Sequence, residues 1–364
     1  MKTINQYSPQ TVSHPGLTLR EKLLELNIGP KEFSIRIDKP EKTVTAVLNG
    51  KSSITPDMSV LFESVLKIQA KFWLNRQNQY DEAQARIKRM QVIAEAEEWT
   101  KLFPYAEMAN YGWVPTTRKT EEKTVFLFNY FGVSNHKAWE NLYLEQQKVR
   151  ARISIKTTKQ PYALSAWIRK GELLANENQL SEFNETNFKE ILPEIKELSV
   201  KQPTDFLKQL TLLFLRVGVH FAFVPFLPKA PISGLARWHK GNPLIQVSGY
   251  KKRNDVFWFT LFHEIGHILL HGKKEMFLED FEYSENDLEK ETEADNFAMD
   301  WTFSKELENQ FLKQSITKAN IVTFAHQNNI NPAFVVGRLQ KFKHITYSQF
   351  NELTVSLNFS EASG

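Results

Sequence analysis

The chain has 364 residues, with 46 Lys+Arg against 42 Asp+Glu, a net charge of +4, 41% hydrophobic residues and no cysteine. That length exceeds one typical core and implies two or three units at ~150 residues each, in a composition that fits a globular protein rather than a disordered or membrane one. The charge balance is too mild to mark the whole molecule as nucleic-acid-binding. The missing cysteines exclude disulfides, thiolate ligands and thiol nucleophiles, so a metal here must be held by His and carboxylates.

Met1 to Ser13 is polar and has no signal-peptide apolar core, and no apolar run approaches the ~18 residues of a membrane span. The expectation is a cytoplasmic protein with no membrane partner, beginning with a flexible tail over 1–12. Leu17 to Gln79 reads as short helices separated by brief turns. Leu19, Leu23, Leu24 and Leu26 mark the inner face of the first, which ends at Asn27-Ile28-Gly29-Pro30. Lys31 to Ile37 is a short second helix. Pro40 to Asn49 is a third, opened by Pro and closed by Gly50. Together they have the layout of a helix-turn-helix.

Asp81 to Phe103 is a charged helical bridge, and Val125 to about Pro203 is mostly helical, with Trp139 and Trp167 as core anchors. After Leu215 the pattern changes. Val219–Val224, Gly234–His239 and Leu244–Ser248 read as strands, followed by a helix from about Asp255 to His271 that stops at Gly272. An acidic connection from Glu275 to Lys290 leads to a helix from about Glu291, and further helices continue to Phe342. Asn358 to Gly364 is expected to fray.

The chemistry is concentrated in His263-Glu264-Ile265-Gly266-His267. Residues four apart on a helix lie nearly above one another, so His263 and His267 direct two imidazoles at one point. A tetrahedral catalytic zinc takes three protein ligands and keeps one position for water, so a third ligand is needed. Glu264, between the two His, can serve as general base. For the third ligand Glu275, Glu279, Glu282, Glu285, Glu289, Glu291 and Glu293 are all within reach. Glu291 is preferred because Asp295 lies four residues on, able to orient a ligating His from behind, with Phe297 and Ala298 packing beneath. Glu293 is the runner-up. His271 lies about 12 Å along the axis from His263, and is read as a helix-end histidine favoured by the dipole.

The segments FWFTLFHEIGHILLHG and ETEADNFAMDW, with LARWHKGNPLIQVSG upstream and NPAFVVGRLQ downstream, resemble the ImmA/IrrE family of metallo-endopeptidases over roughly Phe206 to Phe342. The resemblance implies a gluzincin-like site with His263, His267 and Glu291 as ligands of one Zn2+ and Glu264 as catalytic base. It departs after Phe297-Ala298, where Met299-Asp300-Trp301 intervenes. The front of the chain, SHPGLTLREKLLELNIGPKEFSIRID with LNGKSSITPDM and FWLNRQNQYD, resembles HigA-type antitoxins, an XRE-like helix-turn-helix group. Asp38-Lys39 replaces the usual Gly in the turn and Ser34 a frequent Ala. Asp tolerates left-handed geometry and Ser is small, so the fold is expected to survive.

The fold class expected is mainly α with a small β-sheet. A helix-turn-helix DNA-binding bundle occupies 13–90, a helical linker or middle region 91–203, and a zincin-like α+β metallopeptidase domain 204–345. A C-terminal tail covers 346–364. Lys42, Thr43 and Thr45 would face bases in a major groove, with Lys39, Lys51 and Ser52 near phosphates.

The function expected is zinc-dependent cleavage of a regulatory protein, a repressor or antitoxin, coupled to regulation of a toxin-antitoxin or mobile-element operon. Its partners are that protein substrate and a double-stranded operator, with a homodimer left open. The alternative is a DNA-binding repressor whose zinc site is structural, sensory or weakly catalytic. His239, Tyr250 and Tyr283 are unranked candidates to stabilise the oxyanion, and Leu244 to Ser248 is a candidate strand for pairing an extended substrate.

Overall fold

Proline stands at or just before the start of each of the first four helices: Pro15–Glu25 (α1), Pro30–Arg36 (α2), Glu41–Leu48 (α3, with Pro40 at its N-cap) and Pro56–Leu66 (α4). Its fixed φ suits a first turn, where its missing N–H is not needed. A fifth helix, Ala70–Glu95 (α5), runs 26 residues. In this computed structural model, which describes residues 12–145, 160–177, 179–228, 231–272, 277–278 and 285–357, contacts divide the chain into Met1–Ala96 and Glu97–Gly364.

The first unit closes around Leu19, Phe33, Val44, Val47, Phe62 and Trp73, all fully buried. Each such side chain contributes about 1.5–3 kcal/mol relative to exposure. Two leucines assigned to this core are outside it: Leu24 is 73% and Leu26 40% exposed. Leu19 and Leu23, four apart, share the buried stripe; Leu24 is turned ~100° from Leu23, and Leu26 has left the helix as its C-cap. The α2–α3 turn places Asp38 at φ 50°, the left-handed geometry that a short polar side chain tolerates. Ser34 is buried and its hydroxyl donates to the Lys31 carbonyl at 2.7 Å.

The second unit begins with short helices at Glu97–Lys101 (α6), Tyr105–Asn110 (α7), Thr120–Phe131 (α8) and His136–Trp139 (α9), the last running into a π-helical stretch, Glu140–Glu145. Trp139 is fully buried, its ring 5.0 Å from Tyr162 and 5.7 Å from Trp99. Pro161–Ala175 (α10), Glu185–Glu190 (α11), Leu192–Lys201 (α12) and Phe206–Arg216 (α13) lead to the sheet.

Strands His220–Phe223 (β1), Gly234–His239 (β2), Asn242–Val247 (β3) and the two-residue Phe277–Leu278 (β4) form one sheet in the order β1-β3-β2-β4. β3 runs parallel to β1 and antiparallel to β2, with Gly234 opposite Val247. Both edges of β3 are therefore occupied, which corrects the reading of Leu244 to Ser248 as a strand open to substrate.

Alternation along the strands gives the sheet two faces. Ala236, Ile245 and Val247 join the core formed with Trp258 and Phe262 of the helix Asn254–His271 (α14). Arg237 and Gln246 point the other way, where Arg237 donates to Glu172 Oε1 at 2.8 Å and Gln246 Nε2 to the Trp167 carbonyl at 2.7 Å. Helix α10, read as part of a linker or middle region, is thus a layer packed on the sheet. Trp167, fully buried, donates to the Val224 carbonyl at 3.0 Å.

Glu285–Thr302 (α15) packs along α14 and starts six residues before the position expected at about Glu291. Acidic residues at a helix N-terminus suit the dipole, but with no apolar periodicity they read as a connection. Lys305–Phe311 (α16), Lys318–Gln327 (α17) and Pro332–Lys341 (α18) complete the helices. Part of the expected tail is tied down: the Asn254 N–H donates to Val355 O at 3.1 Å and that of Leu357 to Lys252 O at 2.9 Å. Residues 1–11 and 358–364 lie outside the described residues.

Candidate functional site

Helix α14 is apolar on most of its surface, and Gly272 ends it at φ 77°. Burying His263, Glu264 and His267 within it, at 2%, 0% and 1% exposure, is costly for polar groups unless they have specific partners. α15 supplies them for the two histidines, through Glu291 and Asp295, and Gly266 allows the approach: a Cβ there would stand 3.2 Å from Phe297 Cβ and 3.3 Å from Ala294 Cα. Ala294 and Ala298 are fully buried. The helix continues through Met299-Asp300-Trp301, with the Trp301 ring stacked on Phe262 at 5.9 Å.

Three donor groups converge. His263 Nε2 and His267 Nε2 are 2.9 Å apart, Glu291 Oε2 is 3.3 Å from the first and Glu291 Oε1 3.4 Å from the second. One ligand atom from each lies within 4.8 Å of the others, a group that could hold a metal ion. Tetrahedral ligands at ~2.0–2.2 Å from zinc sit ~3.3–3.6 Å from one another; the two Glu291 distances match that spacing, the two imidazole nitrogens at 2.9 Å stand closer than it, and the His-His-Glu donor set suits one ion. Burial, reinforced by the neighbouring His263, His271 and Lys290, holds the His267 pKa far below the ordinary histidine range. A neutral imidazole is the form that ligates.

Asp295 stands behind His263, its Oδ1 3.0 Å from Nδ1. With Nδ1 carrying the proton, Nε2 keeps its lone pair towards Glu291 and His267. Burial works to raise the Asp295 carboxyl, but the hydrogen bond from His263 and the charge of Lys341 outweigh it and hold the group below its ordinary value. Lys341 Nζ is 3.6 Å from Asp295 Oδ2. Glu293 lies apart from the three donors, 3.5 Å from His271 Nδ1. His271 Nε2 is 3.0 Å from the Lys290 carbonyl. Glu275, Glu279, Glu282 and the candidate donor Tyr283 lie outside the described residues.

Two close neighbours of Glu264 were not foreseen. A Cβ on Gly234 would stand 2.5 Å from Glu264 Oε1 and 2.6 Å from Thr260 Cγ2. The start of β2 therefore passes directly over Glu264 and over Thr260, one turn before it. The sequence signal was present in part, because a Gly in a strand pattern, here at its first position, can mark a close backbone approach. His239, an oxyanion candidate, lies five residues along the same strand, ~16 Å from Gly234. Its Nε2 is 3.0 Å from Asn176 Oδ1, and burial with the nearby Arg237 charge pushes its pKa down to about 4. Tyr250 packs on Phe226 at 5.5 Å.

In the first unit, α3 buries Val44, Val47 and Leu48. Lys42 and Thr45 are exposed on the opposite side, Thr43 is half-buried at the flank, Lys39 is half-buried in the turn, and Lys51 and Ser52 are exposed just beyond. Arg20 of α1 caps the end of α3, donating to Leu48 O at 2.9 Å and Asn49 Oδ1 at 3.0 Å.

Residues 216–340 match the family model described as Peptidase_M78, IrrE N-terminal-like domain. At the other end, the uncharacterized HTH-type transcriptional regulator YddM of Escherichia coli (strain K12) is 34% identical over 71 residues, 20% of this chain and 76% of that protein. Virulence-associated protein A of Dichelobacter nodosus is 35% identical over 69 residues, 18% of this chain and 68% of that protein. The solved structure of an addiction module antidote protein of a HigA family from Coxiella burnetii shares 33% identity, covering 23% of this chain and 91% of that one, with a TM-score of 0.22. Among the described residues no helix is long and apolar enough to cross a membrane. The chain belongs to the XRE/HigA-type helix-turn-helix regulators through its N-terminal unit and joins to it a C-terminal Peptidase_M78 (IrrE/ImmA-like) domain.

Proposed function

We propose that the protein is a zinc-dependent endopeptidase that cleaves a regulatory protein, a repressor or antitoxin, and that its N-terminal unit binds operator DNA of a toxin-antitoxin or mobile-element operon. The observation that carries the catalytic part is the meeting of His263 Nε2, His267 Nε2 and the Glu291 carboxylate at 2.9–3.4 Å, with Glu264 next in the chain. In this reading His263, His267 and Glu291 hold one Zn2+. A zinc ion so held supplies Lewis acidity that polarises a peptide carbonyl and acidifies a water.

Glu264 takes one proton of the attacking water and delivers it to the leaving amide nitrogen; the water's second proton follows, so that water and one peptide bond become a carboxylate and an ammonium group. Asp295 keeps the His263 ring in its orientation. The operator role places the protein in the cytoplasm. It assigns Lys42, Thr43 and Thr45 to base edges and Lys39, Lys51 and Ser52 to phosphates, supported by the exposure of Lys42, Thr45, Lys51 and Ser52.

A second reading, a DNA-binding repressor with a structural or sensory zinc site, is favoured by the complete burial of Glu264 beneath Gly234. One comparison separates the two. Cells expressing wild type or Glu264→Gln are searched by proteomics for truncated proteins, with zinc content measured on both purified proteins. The peptidase reading expects truncated regulators with wild type alone and equal zinc in both. Identical proteomes, with repression lost only on deletion of residues 1–90, would select the second reading.

A further inference from the structure

A cavity of 410 Å³ opens beside α14, one turn before the metal-ligand group. Its volume falls among those of ligand-binding pockets, about 300–1,000 Å³. Val256, Phe259 and Thr260 of α14 form one wall, and Met299 and Phe303, from α15 and just after it, form another.

Three contacts join this cavity to the group around Glu264. The Phe259 ring is 6.4 Å from that of His263, four residues on. Thr260 precedes Glu264 by one turn and lies with it against Gly234. Lys341, on the cavity lining, has its Nζ 3.6 Å from Asp295 Oδ2 and 5.0 Å from the Phe259 ring centre. One helical turn is ~5.4 Å. Consecutive Cα atoms of a peptide are ~3.8 Å apart, so the side chain next to a peptide bond held at Glu264 can span the one turn that separates Glu264 from Thr260 on the cavity lining.

The lining also defines what fits. Its inner surface carries Val256, Phe259, Phe303 and Phe334, and its charged members are Lys251, Arg253, Arg338 and Lys341 against Asp255 alone. Arg253 is paired with Asp255 at 2.8 Å, Arg338 with Glu308 at 2.9 Å and Lys341 with Asp295 at 3.6 Å, so the like charge an incoming cation meets is chiefly that of Lys251. An apolar side chain gains by burial on such a surface, whereas a cationic one meets like charge.

We propose that this cavity receives the side chain of the substrate residue adjoining the cleaved bond and selects a bulky apolar residue there over a small or cationic one. The proposal rests on the peptidase reading above and adds a substrate class to it.

The test uses zinc-loaded full-length protein and the peptides N-acetyl-Ala-Ala-X-Ala-Ala amide, with X as Phe, Leu, Ala or Lys. Calorimetry on Glu264→Gln measures binding without turnover, and wild type on the same series gives kcat/KM. Phe and Leu are expected to bind at least about tenfold tighter than Ala, with Lys weakest. Val256→Trp, which fills the cavity, is expected to remove that difference with zinc content unchanged. Lys251→Glu, a surface change without repacking, is expected to erase the discrimination against Lys.

Equal affinities across the series, or a preference untouched by both variants, would overturn the proposal even if wild type cleaves the peptides. Selective binding without any turnover would instead keep the cavity assignment and remove the peptidase reading.

Discussion

The carboxylate of Glu264 lies against the backbone of Gly234, so closely that a β-carbon on that glycine would stand 2.5 Å from Oε1. The relationship joins the first residue of β2 to the middle of α14. It makes Gly234 a determinant of where the carboxylate sits. Gly234→Ala is expected to force Glu264 and Thr260 aside and to lower stability by about 1–3 kcal/mol, the usual penalty of overpacking. Thermal denaturation checks the loss. Under the zinc reading, metal content should persist, because His263, His267 and Glu291 are not displaced.

Glu264→Gln preserves the side chain's size while removing its basicity. Under the peptidase reading kcat/KM falls by about 10²–10⁴ with zinc content and melting temperature close to wild type. Retained turnover in this variant would exclude Glu264 as the base.

Asp295→Ala removes the acceptor 3.0 Å from His263 Nδ1. The imidazole then loses its orientation, and metal affinity is expected to fall about 10–100-fold. Competition against a chelator of known affinity measures it. Asp295→Asn, which keeps an acceptor oxygen, should lose less.

The Glu172 carboxyl sits between Arg237 at 2.8 Å and Arg169 at 2.9 Å, joining α10 to β2. Burial works to raise it, but Arg237 first, and then Arg169, hold it below its ordinary 4.5. Its folded pKa is therefore lower than its unfolded one. The stabilisation is complete above about pH 4.5 and is lost as pH falls through the lower folded value. Glu172→Gln is expected to lower stability by about 3–5 kcal/mol at neutral pH, since Arg237 is left buried without its counter-charge. It should also flatten the decline below pH 4.5. Urea unfolding from pH 7 to pH 3 tests both.

For the first unit, the operator-binding proposal expects Lys51→Ala to weaken binding similarly for all sequences and to reduce the slope of log K against log salt by about one. Thr45→Ala should instead alter preference at one base position. Titrations at several salt concentrations, on the operator and on a scrambled duplex, separate the two effects.

Much of the site was readable because its information is local. The spacing of His263 and His267 dictates a shared helical face, and the Glu291–Asp295 spacing does the same on the next helix. Local pattern misled where periodicity was weak or ambiguous. The first turns of α15 carry charges that suit a helix start yet resemble a loop, and Leu24 and Leu26 belong to a leucine run only partly on the buried stripe.

By itself the sequence determined the helix-turn-helix layout, the two-histidine helix and the acidic helix that faces it, since helical periodicity and capping residues act within a few positions. Only the tertiary structure decided that β3 is closed on both sides, that α10 is a layer of the second unit, and that Gly234 overlies Glu264, and it alone brings Glu291, preferred on spacing, up to the histidines. Those relationships depend on strand order and on how closely backbones approach across distant segments, and no local spacing encodes either.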